Sequence, residues 1–520
     1  MRVTYGLRRA AMMRRNDVAF IDYAGQKNWG EVLDRVQQGA GALRGLGLGD
    51  GDFVAVLMHN NMTYAELNYA VAWAGGIIVP LNTRLAAPEL IFQINDSGCK
   101  AIVVDDSFVP MLDEIKAGSE TLQHVIYVGN AEPPEGALQY ETLIESADPA
   151  PDADRSYEDL MSIFYTGGTT GRAKGVMLSH MNVVSNALNG IHALQYSKGD
   201  VYLHVAPMFH LADAGTTFSV TMGGGQHAFI PGFEPEATLK AIQDFKVTHV
   251  ILVPTMINMV INHPAVKQYD LSSLKVIIYG ASPIPEAVLQ TAMETLPCDF
   301  IQGYGMTESA QLVTILPKED HKHPAGSKES SRLKSCGQPI INTEVQIVDE
   351  NDTLIPTGEV GEVCFRGPNV MQGYLNMPDA TEEALKGGWM HSGDVGYMDD
   401  DGYLYLVDRA KDMIISGGEN IYSTEVETAI YSHPTVLEAA VIGIPHPEWG
   451  EAVHAVVVLK PDQDVSVDEL IQHCKTQIAG YKTPKSITFE TEALPKSGAG
   501  KILKRDLRKP YWEDEDRQVN

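Results

Sequence analysis

The chain has 520 residues, 44% of them hydrophobic, and a formal net charge of −29. Its length predicts three or four folding units, or one large composite domain plus a smaller one. The acidic balance argues against a nucleic-acid partner, because binding a phosphate backbone needs clustered Lys and Arg. The five cysteines are widely spaced without a CxxC pair, which argues against a disulfide framework or a zinc site and indicates a reducing compartment.

The N-terminal segment and the apolar runs argue against membrane insertion. Residues Met1 to Arg15 carry several arginines and no continuous apolar core, so they do not resemble a secretory signal. The longest apolar run, Ala70 to Leu81, is too short to span a bilayer and contains Pro80. The sequence therefore predicts a cytoplasmic protein without a transmembrane segment.

Through the first four hundred residues, apolar, β-branched runs alternate with segments of helical period. The predicted strands are Phe53 to Met58, Ala101 to Val104, His124 to Val128, His249 to Val253 and Val276 to Tyr279. The predicted helices are Trp29 to Leu43, Tyr64 to Ala74 and Glu286 to Leu296. This alternation predicts largely parallel sheets covered by helices.

The pattern changes in the last third of the chain. Short strands with Gly and Asp turns from Val345 to Tyr405 predict an antiparallel or β-barrel-like subdomain. After the charged cluster 408–412, strands Ala439 to Ile444 and Ala452 to Leu459 and the helix Asp468 to Ala479 predict a separate unit. We therefore predict an α/β fold with a large N-terminal domain over residues 1–408, a boundary at 409–411 and a small α+β domain over residues 412–520.

A glycine- and threonine-rich run follows the strand-like segment 160–165 and reads TGGTTGRAKG from Thr166 to Gly175. Glycines let backbone N–H groups approach an anion closely. Lys174 supplies a mobile positive charge suited to phosphate. The run predicts a polyphosphate cradle, with a structural turn as the alternative, and it is not a Walker loop because no G-K-[ST] sequence closes it.

Two further turns carry residues of the kind that bind nucleotides. The run Gly280 to Ser282 follows a predicted strand, at the carboxyl end where open α/β sheets bind ligands. The sequence HSGD places Asp394 on a glycine turn, where its carboxylate suits ribose hydroxyls. Taken alone, the first also fits a plain strand-to-helix turn and the second a turn-capping Asp.

The run Gln302 to Glu308 offers several ligand groups in seven residues. The Tyr304 ring can stack on a base, and Thr307 can bond a phosphate. Glu308 can hold Mg²⁺ through oxygen, as hard cations prefer. Near the C-terminus, glycines flank Lys501 on a flexible loop. A core tyrosine and a solvated lysine are the alternatives for these two motifs.

In this order and at this spacing, the five motifs resemble those of the adenylate-forming enzymes, which include acyl- and aryl-CoA synthetases, luciferase and peptide-synthetase adenylation domains. The resemblance covers nearly the whole chain and is closest to the CoA ligases for fatty and aromatic acids. It implies that the ATP phosphates are bound by Thr166, Gly167, Gly168, Thr169, Thr170, Gly171 and Lys174. It also implies that the rest of the nucleotide contacts Gly280, Ala281, Ser282, Gln302, Gly303, Tyr304, Gly305, Met306 and Thr307.

The resemblance also implies roles for residues nearer the C-terminus. Asp394 and Arg409 would bind the ribose, Lys411 would be the hinge, and Glu308 would hold Mg²⁺ beside the α-phosphate. Lys501 would be the lysine that assists adenylation. The residues that would take part directly in catalysis are Lys501, Thr307, Glu308, His210 and Lys174, where His210 forms a gate between the acid pocket and a tunnel for coenzyme A. The tunnel would be lined by Gly417, Gly418 and Asn420.

The function implied is an ATP-dependent acid–CoA ligase. A hydrophobic carboxylic acid, medium- or long-chain fatty or arylpropenoic, would react with MgATP to give acyl-AMP and pyrophosphate, and then with CoA to give acyl-CoA and AMP. An ionised carboxylate needs no general base, so catalysis reduces to positioning and charge neutralisation. The partners implied are these small molecules, and a homodimer is left open.

Several alternatives and departures from the family pattern remain. The chain could be an acyl-AMP ligase or a stand-alone adenylation domain that loads a carrier protein, or a catalytically dead nucleotide-binding regulator, although the last would require the loss of Lys501 or Glu308. In the phosphate loop this chain has Gly167 where Ser is usual in the family, and Ala173 where Pro is usual. In the acid pocket, a polar Gln311 weakens a transfer of the hydroxycinnamate ligases' substrate, and Asp213 is expected to add further polarity unless it points outward.

Overall fold

The computed structural model describes residues 1–166, 173–323, 327, 329–409, 411–498 and 500–512. The α-helices in these ranges are α1 (Thr4–Arg14), α2 (Trp29–Gly45), α3 (Met62–Ala74), α4 (Ala87–Ser97), α5 (Leu112–Gly118), α6 (Tyr140–Ser146), α7 (His180–Leu194), α8 (Leu211–Gly223), α9 (Pro235–Phe245), α10 (Pro254–Ile261), α11 (Glu286–Thr295), α12 (Pro378–Ala384), α13 (Ser423–Tyr431), α14 (Val467–Lys475) and α15 (Lys504–Trp512). Short 3₁₀ helices occupy Asp106–Met111, Thr307–Ser309, Asp320–Lys322, Glu329–Lys334 and Lys386–Gly388.

The strands are β1 (Val18–Asp22), β2 (Gly25–Asn28), β3 (Phe53–Leu57), β4 (Ile77–Pro80), β5 (Ala101–Asp105), β6 (His124–Val128), β7 (Ala137–Gln139), β8 (Leu160–Thr166), β9 (Lys174–Ser179), β10 (Val201–His204), β11 (Gln226–Phe229), β12 (His249–Ile251), β13 (Val276–Gly280), β14 (Asp299–Tyr304), β15 (Thr314–Leu316), β16 (Gln338–Pro339), β17 (Glu344–Val348), β18 (Gly361–Arg366), β19 (Gly373–Tyr374), β20 (Met390–Met398), β21 (Leu404–Arg409), β22 (Ile414–Ser416), β23 (Glu419–Ile421), β24 (Val436–His446), β25 (Gly450–Leu459) and β26 (Ser486–Glu490). The strands and helices predicted in the first three hundred residues all form, within two residues at either end.

Two large sheets form the N-terminal part of the molecule. The first has the order β16-β15-β14-β13-β12-β10-β11-β1-β2, and the second has the order β19-β9-β8-β4-β3-β5-β6-β7. The pairs from β1 through β11, β10, β12 and β13 to β14 are parallel, as are those from β8 through β4, β3, β5 and β6 to β7. The predicted fold class is therefore confirmed, with antiparallel strands only at the sheet margins.

Helices α2, α3, α7 and α8 contribute to one apolar core with strands of both sheets. Phe20 and Phe229 come from the first sheet, Val56 comes from the second, and all three are essentially inaccessible to solvent. Helix α2 begins at a capping box in which Asn28 and Glu31 exchange side-chain and backbone hydrogen bonds. Such caps satisfy the first amides of a helix and fix where it starts.

The last third of the chain forms two smaller sheets. Strands β17-β18-β20-β21 make an antiparallel four-strand sheet, and β23-β22-β25-β24 make another, to which β26 adds in parallel alongside β25. Asp408, just before the predicted boundary, is buried and accepts a 2.5 Å hydrogen bond from the backbone N–H of Ser423. The boundary at 409–411 stays a prediction. No helix in the described ranges has the length and apolar character needed to cross a bilayer.

Candidate active site

Lys501 is held on a tight loop of the small C-terminal unit. Lys496 and Ile502 pair across its base as an antiparallel bridge. The backbone N–H of Ser497 donates to the Lys501 carbonyl at 2.7 Å, and the Lys501 N–H donates back to the Ser497 hydroxyl at 3.2 Å. Gly500 turns the chain with a φ of +80°, a conformation that favours glycine. The loop is therefore a defined structure that projects one lysine.

This loop is inserted against the large N-terminal part of the molecule. The Arg84 guanidinium donates to the Ser497 carbonyl at 3.2 Å. A Cβ placed on Gly498 would lie 2.9 Å from the Asn82 side chain and 3.0 Å from the Phe209 ring. A side chain at position 498 would therefore require the Asn82 amide and the Phe209 ring to shift. The contact brings Lys501 to the edge of the two large sheets.

A carboxylate predicted to bind ribose lies at the centre of the site. Asp394 is buried, its Oδ2 accepts a hydrogen bond from the Tyr304 hydroxyl at 2.8 Å, and its Oδ1 forms an ion pair with Arg409 Nε at 3.1 Å. Strand pairing sets this arrangement, because Asp394 of β20 is the register partner of Arg409 of β21. Burial and the neighbouring Asp394 raise the pKa of Tyr304 well above its usual range, so the phenol stays protonated and donates.

Glu308 offers a second buried carboxylate. It accepts a 2.8 Å hydrogen bond from the Tyr374 hydroxyl, and Lys174 Nζ lies 4.7 Å from the centroid of the Tyr374 ring. The backbone of Glu308 is fixed by a 2.8 Å hydrogen bond from the Met371 N–H. Burial raises the pKa of Glu308, and the charges of Arg409 and Lys174 oppose the rise. The buried Glu308 carboxylate, whose oxygens are not fully hydrated, is the kind of oxygen donor that a hard divalent cation such as Mg²⁺ binds.

The Lys501 ammonium is coupled to the charges of both parts of the chain. Its pKa is lowered to about 8, mainly by burial and also by the positive charges of Arg409 and Lys411. The carboxylates of Asp394 and Glu308 act in the opposite direction. The predicted adenylation lysine is thus brought together with the predicted ribose, metal and hinge residues.

His210 lies immediately before α8 and packs on Phe209, with ring centroids 4.8 Å apart. Its Nε2 is buried and has no hydrogen-bond partner within the described part of the chain. Burial lowers the pKa of His210 to about 4, and the charges of Lys501 and Arg84 add to the effect. The ring is therefore neutral at pH 7, which suits a steric gate better than an acid–base catalyst.

The predicted phosphate loop is flanked by two paired strands. Thr166 ends β8 and is the antiparallel register partner of Lys174, which begins β9. The loop residues Gly167, Gly168, Thr169, Thr170 and Gly171 lie outside the described residues. Their binding of ATP phosphates stays a prediction.

The residues predicted to hold the rest of the nucleotide meet at the carboxyl edge of the first sheet. Gly280 pairs with Gly303 across β13 and β14, and a Cβ on Gly280 would lie 2.0 Å from the Gly303 carbonyl oxygen. A Cβ on Gly305 would likewise lie 2.0 Å from the Gln311 carbonyl oxygen. Glycine is required at these contacts because no side chain fits. The remaining members of the predicted set are Ala281, Ser282, Gln302, Met306 and Thr307, on or directly after the same two strands.

The predicted CoA-tunnel residues are not part of this cluster. Gly417, Gly418 and Asn420 lie in and beside the exposed turn between β22 and β23. Both glycines have positive φ, +62° and +85°, and a Cβ on Gly418 would meet no atom within 4 Å. They would have to move to reach the site around Lys501, and their role stays a prediction.

Two polar residues near α8 make contacts that the sequence did not reveal. Asp213 is fully buried and accepts hydrogen bonds from the Tyr202 hydroxyl at 2.7 Å and from His204 Nδ1 at 2.6 Å. Gln311 donates through its amide nitrogen to the Ala212 carbonyl at 2.7 Å and to the Thr216 hydroxyl at 2.9 Å. Asp213 thus fastens α8 to strand β10, and Gln311 covers the first turn of α8.

Sequence reasoning also missed Tyr374 and Arg84, which touch Glu308 and the Lys501 loop. Tyr374 reaches the site because β19 pairs with β9, next to the predicted phosphate loop. A short two-residue strand gives no periodic signal. Arg84 follows β4 in a turn, and no local pattern separates it from any exposed arginine.

A small C-terminal unit that inserts a lysine among the carboxylates of a larger α/β domain defines an adenylate-forming enzyme. Comparison with known proteins agrees. Residues 7–375 match the family described as AMP-binding enzyme, and residues 425–501 match the AMP-binding enzyme C-terminal domain. The chain belongs to this family, and the resemblance inferred from its motifs is confirmed.

Several relatives span nearly all of the chain. A feruloyl-CoA synthase of Amycolatopsis sp. is 39% identical over 93% of this chain and 94% of its own length. The fatty acid–[acyl-carrier-protein] ligase ScoC of Streptomyces coeruleorubidus is 35% identical over 92% of this chain and 91% of its own. The crystal structure of the anthranilate CoA ligase AuaEII with anthranoyl-AMP superimposes with a TM-score of 0.90 at 27% identity, covering 98% of this chain and 97% of that one.

The pKa of Lys501 predicts an alkaline limit to adenylation. With a pKa of about 8, lowered from the usual lysine value, the side chain is charged below pH 8 and loses its proton above it. We expect kcat/KM for ATP–pyrophosphate exchange to be about tenfold lower at pH 9 than on the plateau below pH 7. Lys501→Arg keeps its charge throughout and should lose this alkaline decline. An unchanged decline in that variant would assign the titration to another group.

Proposed function

We propose that this chain, an AMP-forming acyl-CoA synthetase, activates a hydrophobic carboxylic acid at the site formed by Lys501, Asp394, Arg409 and Glu308. The observation that carries the proposal is the insertion of the Lys501 loop against Asn82 and Phe209, which joins both parts of the chain around one set of charges. The presence of both family domains supports it.

In the first half-reaction, a carboxylate oxygen of the acid attacks the α-phosphorus of ATP. The new O–P bond forms as the bond from the α-phosphorus to the bridging oxygen breaks, and pyrophosphate leaves with the electron pair. The Lys501 ammonium neutralises charge that develops where the acyl oxygen meets phosphorus. Asp394 accepts hydrogen bonds from the ribose hydroxyls, and Tyr304 and Arg409 orient its carboxylate. Glu308 would hold Mg²⁺, which supplies further neutralisation of the phosphate oxygens.

In the second half-reaction, the thiol of coenzyme A attacks the acyl carbon and AMP leaves with the carboxyl oxygen. We propose that the C-terminal unit rotates about residues 409–411 between the two steps. This motion would withdraw Lys501 and bring the exposed turn of Gly417 and Gly418 to the acyl-AMP. In the present orientation a Cβ on Gly418 would meet no atom within 4 Å, so the turn is free to contact the N-terminal part after such a rotation.

For the acid, we propose a phenolic arylpropenoic acid of the feruloyl type. The 39% identity to a feruloyl-CoA synthase supports this choice, against the sequence-based expectation that the polar Gln311 disfavours a hydroxycinnamate. The Gln311 amide nitrogen is committed to α8, and its amide oxygen lies where a Cβ on Gly215 would approach it to 2.7 Å. If the acid lies beside Gly215, this oxygen can accept a hydrogen bond from its phenol, which an unsubstituted chain cannot donate.

A second candidate function is the loading of a fatty acid onto a carrier protein. Its support is the 35% identity to a fatty acid–[acyl-carrier-protein] ligase over nearly the whole chain. The first half-reaction would be the same, and only the thiol acceptor would differ. The test is therefore which thiol, that of CoA or that of a phosphopantetheinylated carrier, releases AMP.

Lys501→Ala should separate the two half-reactions. We expect pyrophosphate release from acid and ATP to fall by at least about 10²-fold, because one charge contact of the transition state is lost. Supplied acyl-AMP should still be converted to the thioester at the normal rate. Lys475→Ala, at an exposed lysine of α14, is the matched control and should leave both rates unchanged. Equal losses in both half-reactions would contradict the role of Lys501.

Gly418→Leu should have the opposite selectivity. A bulky side chain would narrow the proposed pantetheine path, so thioester formation should fall while ATP–pyrophosphate exchange continues. Gly418 has positive φ, so a leucine there also strains the backbone. Gly387→Leu controls for this strain, because Gly387 is likewise exposed and has a φ of +65°. Normal thioester turnover in Gly418→Leu would remove this turn from the CoA path.

The acid can be identified by CoA-dependent AMP release with ferulic, cinnamic, decanoic and palmitic acids. We expect ferulic acid to have the highest kcat/KM, about tenfold or more above cinnamic acid, because a site built to bind a hydroxyl discriminates against its absence. Gln311→Leu should reduce that preference, mainly by lowering the rate with ferulic acid. A preference for palmitic acid in the unmodified enzyme would overturn the arylpropenoic assignment.

A further inference from the structure

A second cluster of ligand-type side chains lies on the antiparallel sheet of β17, β18, β20 and β21. Glu362 and Cys364 are two positions apart on β18, and His391 of β20 is the register partner of Cys364. His391 Nδ1 lies 2.9 Å from Glu362 Oε2 and 3.4 Å from Cys364 Sγ. A carboxylate oxygen, a thiol and an imidazole nitrogen thus lie within 4.8 Å of one another.

These contacts give one nitrogen two partners. If His391 Nδ1 carries a hydrogen, it donates to Glu362, and the Cys364 sulfur is at most a weak acceptor of the same hydrogen. If it carries none, it can accept from the thiol but faces the Glu362 carboxylate lone pair to lone pair. A cation placed among the three groups would instead accept a lone pair from each. The arrangement therefore offers a metal ion three donors at once, which neither placement of the proton uses fully.

The surroundings of the cluster offer a fourth ligand and a route from solvent. Asp352, in the turn between β17 and β18, has Oδ1 4.0 Å from His391 Nδ1 and also pairs with Lys386. The side chains of Asp352 and Glu362 are 34% and 33% exposed, whereas Cys364 is fully buried beneath them. An ion could enter past the two carboxylates and reach the sulfur.

We propose that Glu362, Cys364 and His391 bind a divalent cation of the zinc class, with Asp352 as the fourth ligand. Sulfur, imidazole nitrogen and carboxylate oxygen in a four-ligand set are the donors that Zn²⁺ takes in proteins, whereas Mg²⁺ takes oxygen. On binding, the S–H bond of Cys364 breaks, a sulfur–metal bond forms, and the proton passes to solvent. The site is separate from the magnesium position at Glu308.

The position of the cluster connects it to the nucleotide residues. The Gly393 N–H donates to Glu362 Oε1 at 3.0 Å, and Asp394 follows directly in the chain. A cation bound through Glu362 Oε2 would leave that hydrogen bond intact. It would brace the turn that presents Asp394 to Tyr304 and Arg409 without touching ATP.

The test is a Co²⁺ titration of the chelator-stripped, full-length protein, because thiolate ligation of Co²⁺ gives an intense near-ultraviolet charge-transfer absorption. We expect one equivalent to bind, Zn²⁺ to displace it, and excess Mg²⁺ to leave it in place. Cys364→Ser should abolish the band. Cys298→Ser, at a cysteine between α11 and β14, should keep it. A band that survives Cys364→Ser, or is absent from the folded unmodified protein, overturns the proposal.

A second variant keeps the proposal testable if Cys364→Ser does not fold. Glu362→Gln keeps the shape of a partly exposed side chain, and circular dichroism can verify its folding. We expect the Kd for Co²⁺ to rise by at least about tenfold, since even an outer partner of a metal site contributes that much. An unchanged Kd in Glu362→Gln would mean that the ion lies elsewhere.

Discussion

The arrangement depends on keeping one ammonium group charged while it is removed from most of its water. Burial lowers the pKa of Lys501, and two neighbouring cations act in the same direction. Asp394 and Glu308 restore part of the balance, and each is itself held by a tyrosine hydroxyl. A polyanionic nucleotide entering this space would supply the rest of the negative charge. The site is therefore electrostatically incomplete until its substrate arrives, which is how binding and catalysis are linked.

The fold and many of the site residues could be predicted from the sequence. Strands such as Ala101–Asp105 are short apolar β-branched runs, and parallel topology brings their carboxyl ends to one edge. The predicted ligands that follow such strands, among them Gly280 and Gln302, are therefore close to one another. What could not be predicted depends on pairing between distant segments. Tyr374 reaches Glu308 because its two-residue strand β19 pairs with β9. The Asp213 carboxylate points inward because it forms hydrogen bonds with His204 and Tyr202 of β10.

The same limit explains why widely spaced cysteines argued against a metal site. Cys364 and His391 are 27 positions apart and have no ligand spacing in the sequence. Only the register of β18 against β20 places them opposite each other, and that register also contains a bulge. The strand that carries His391 carries Asp394 three residues later. One antiparallel pair of strands therefore positions both the carboxylate predicted to bind ribose and the proposed cation cluster.

The close fit at Gly498 has a consequence for turnover. The contact joins backbone to the Asn82 amide and the edge of the Phe209 ring, with one guanidinium hydrogen bond from Arg84 beside it. Gly498 and Gly500 bring no side chain of their own into the contact, so the apolar surface that separation would uncover at this loop lies on the buried Phe209 and Val253. The fit of the loop backbone against these side chains selects the docked pose. A latch of this kind can register accurately and still release on every catalytic cycle.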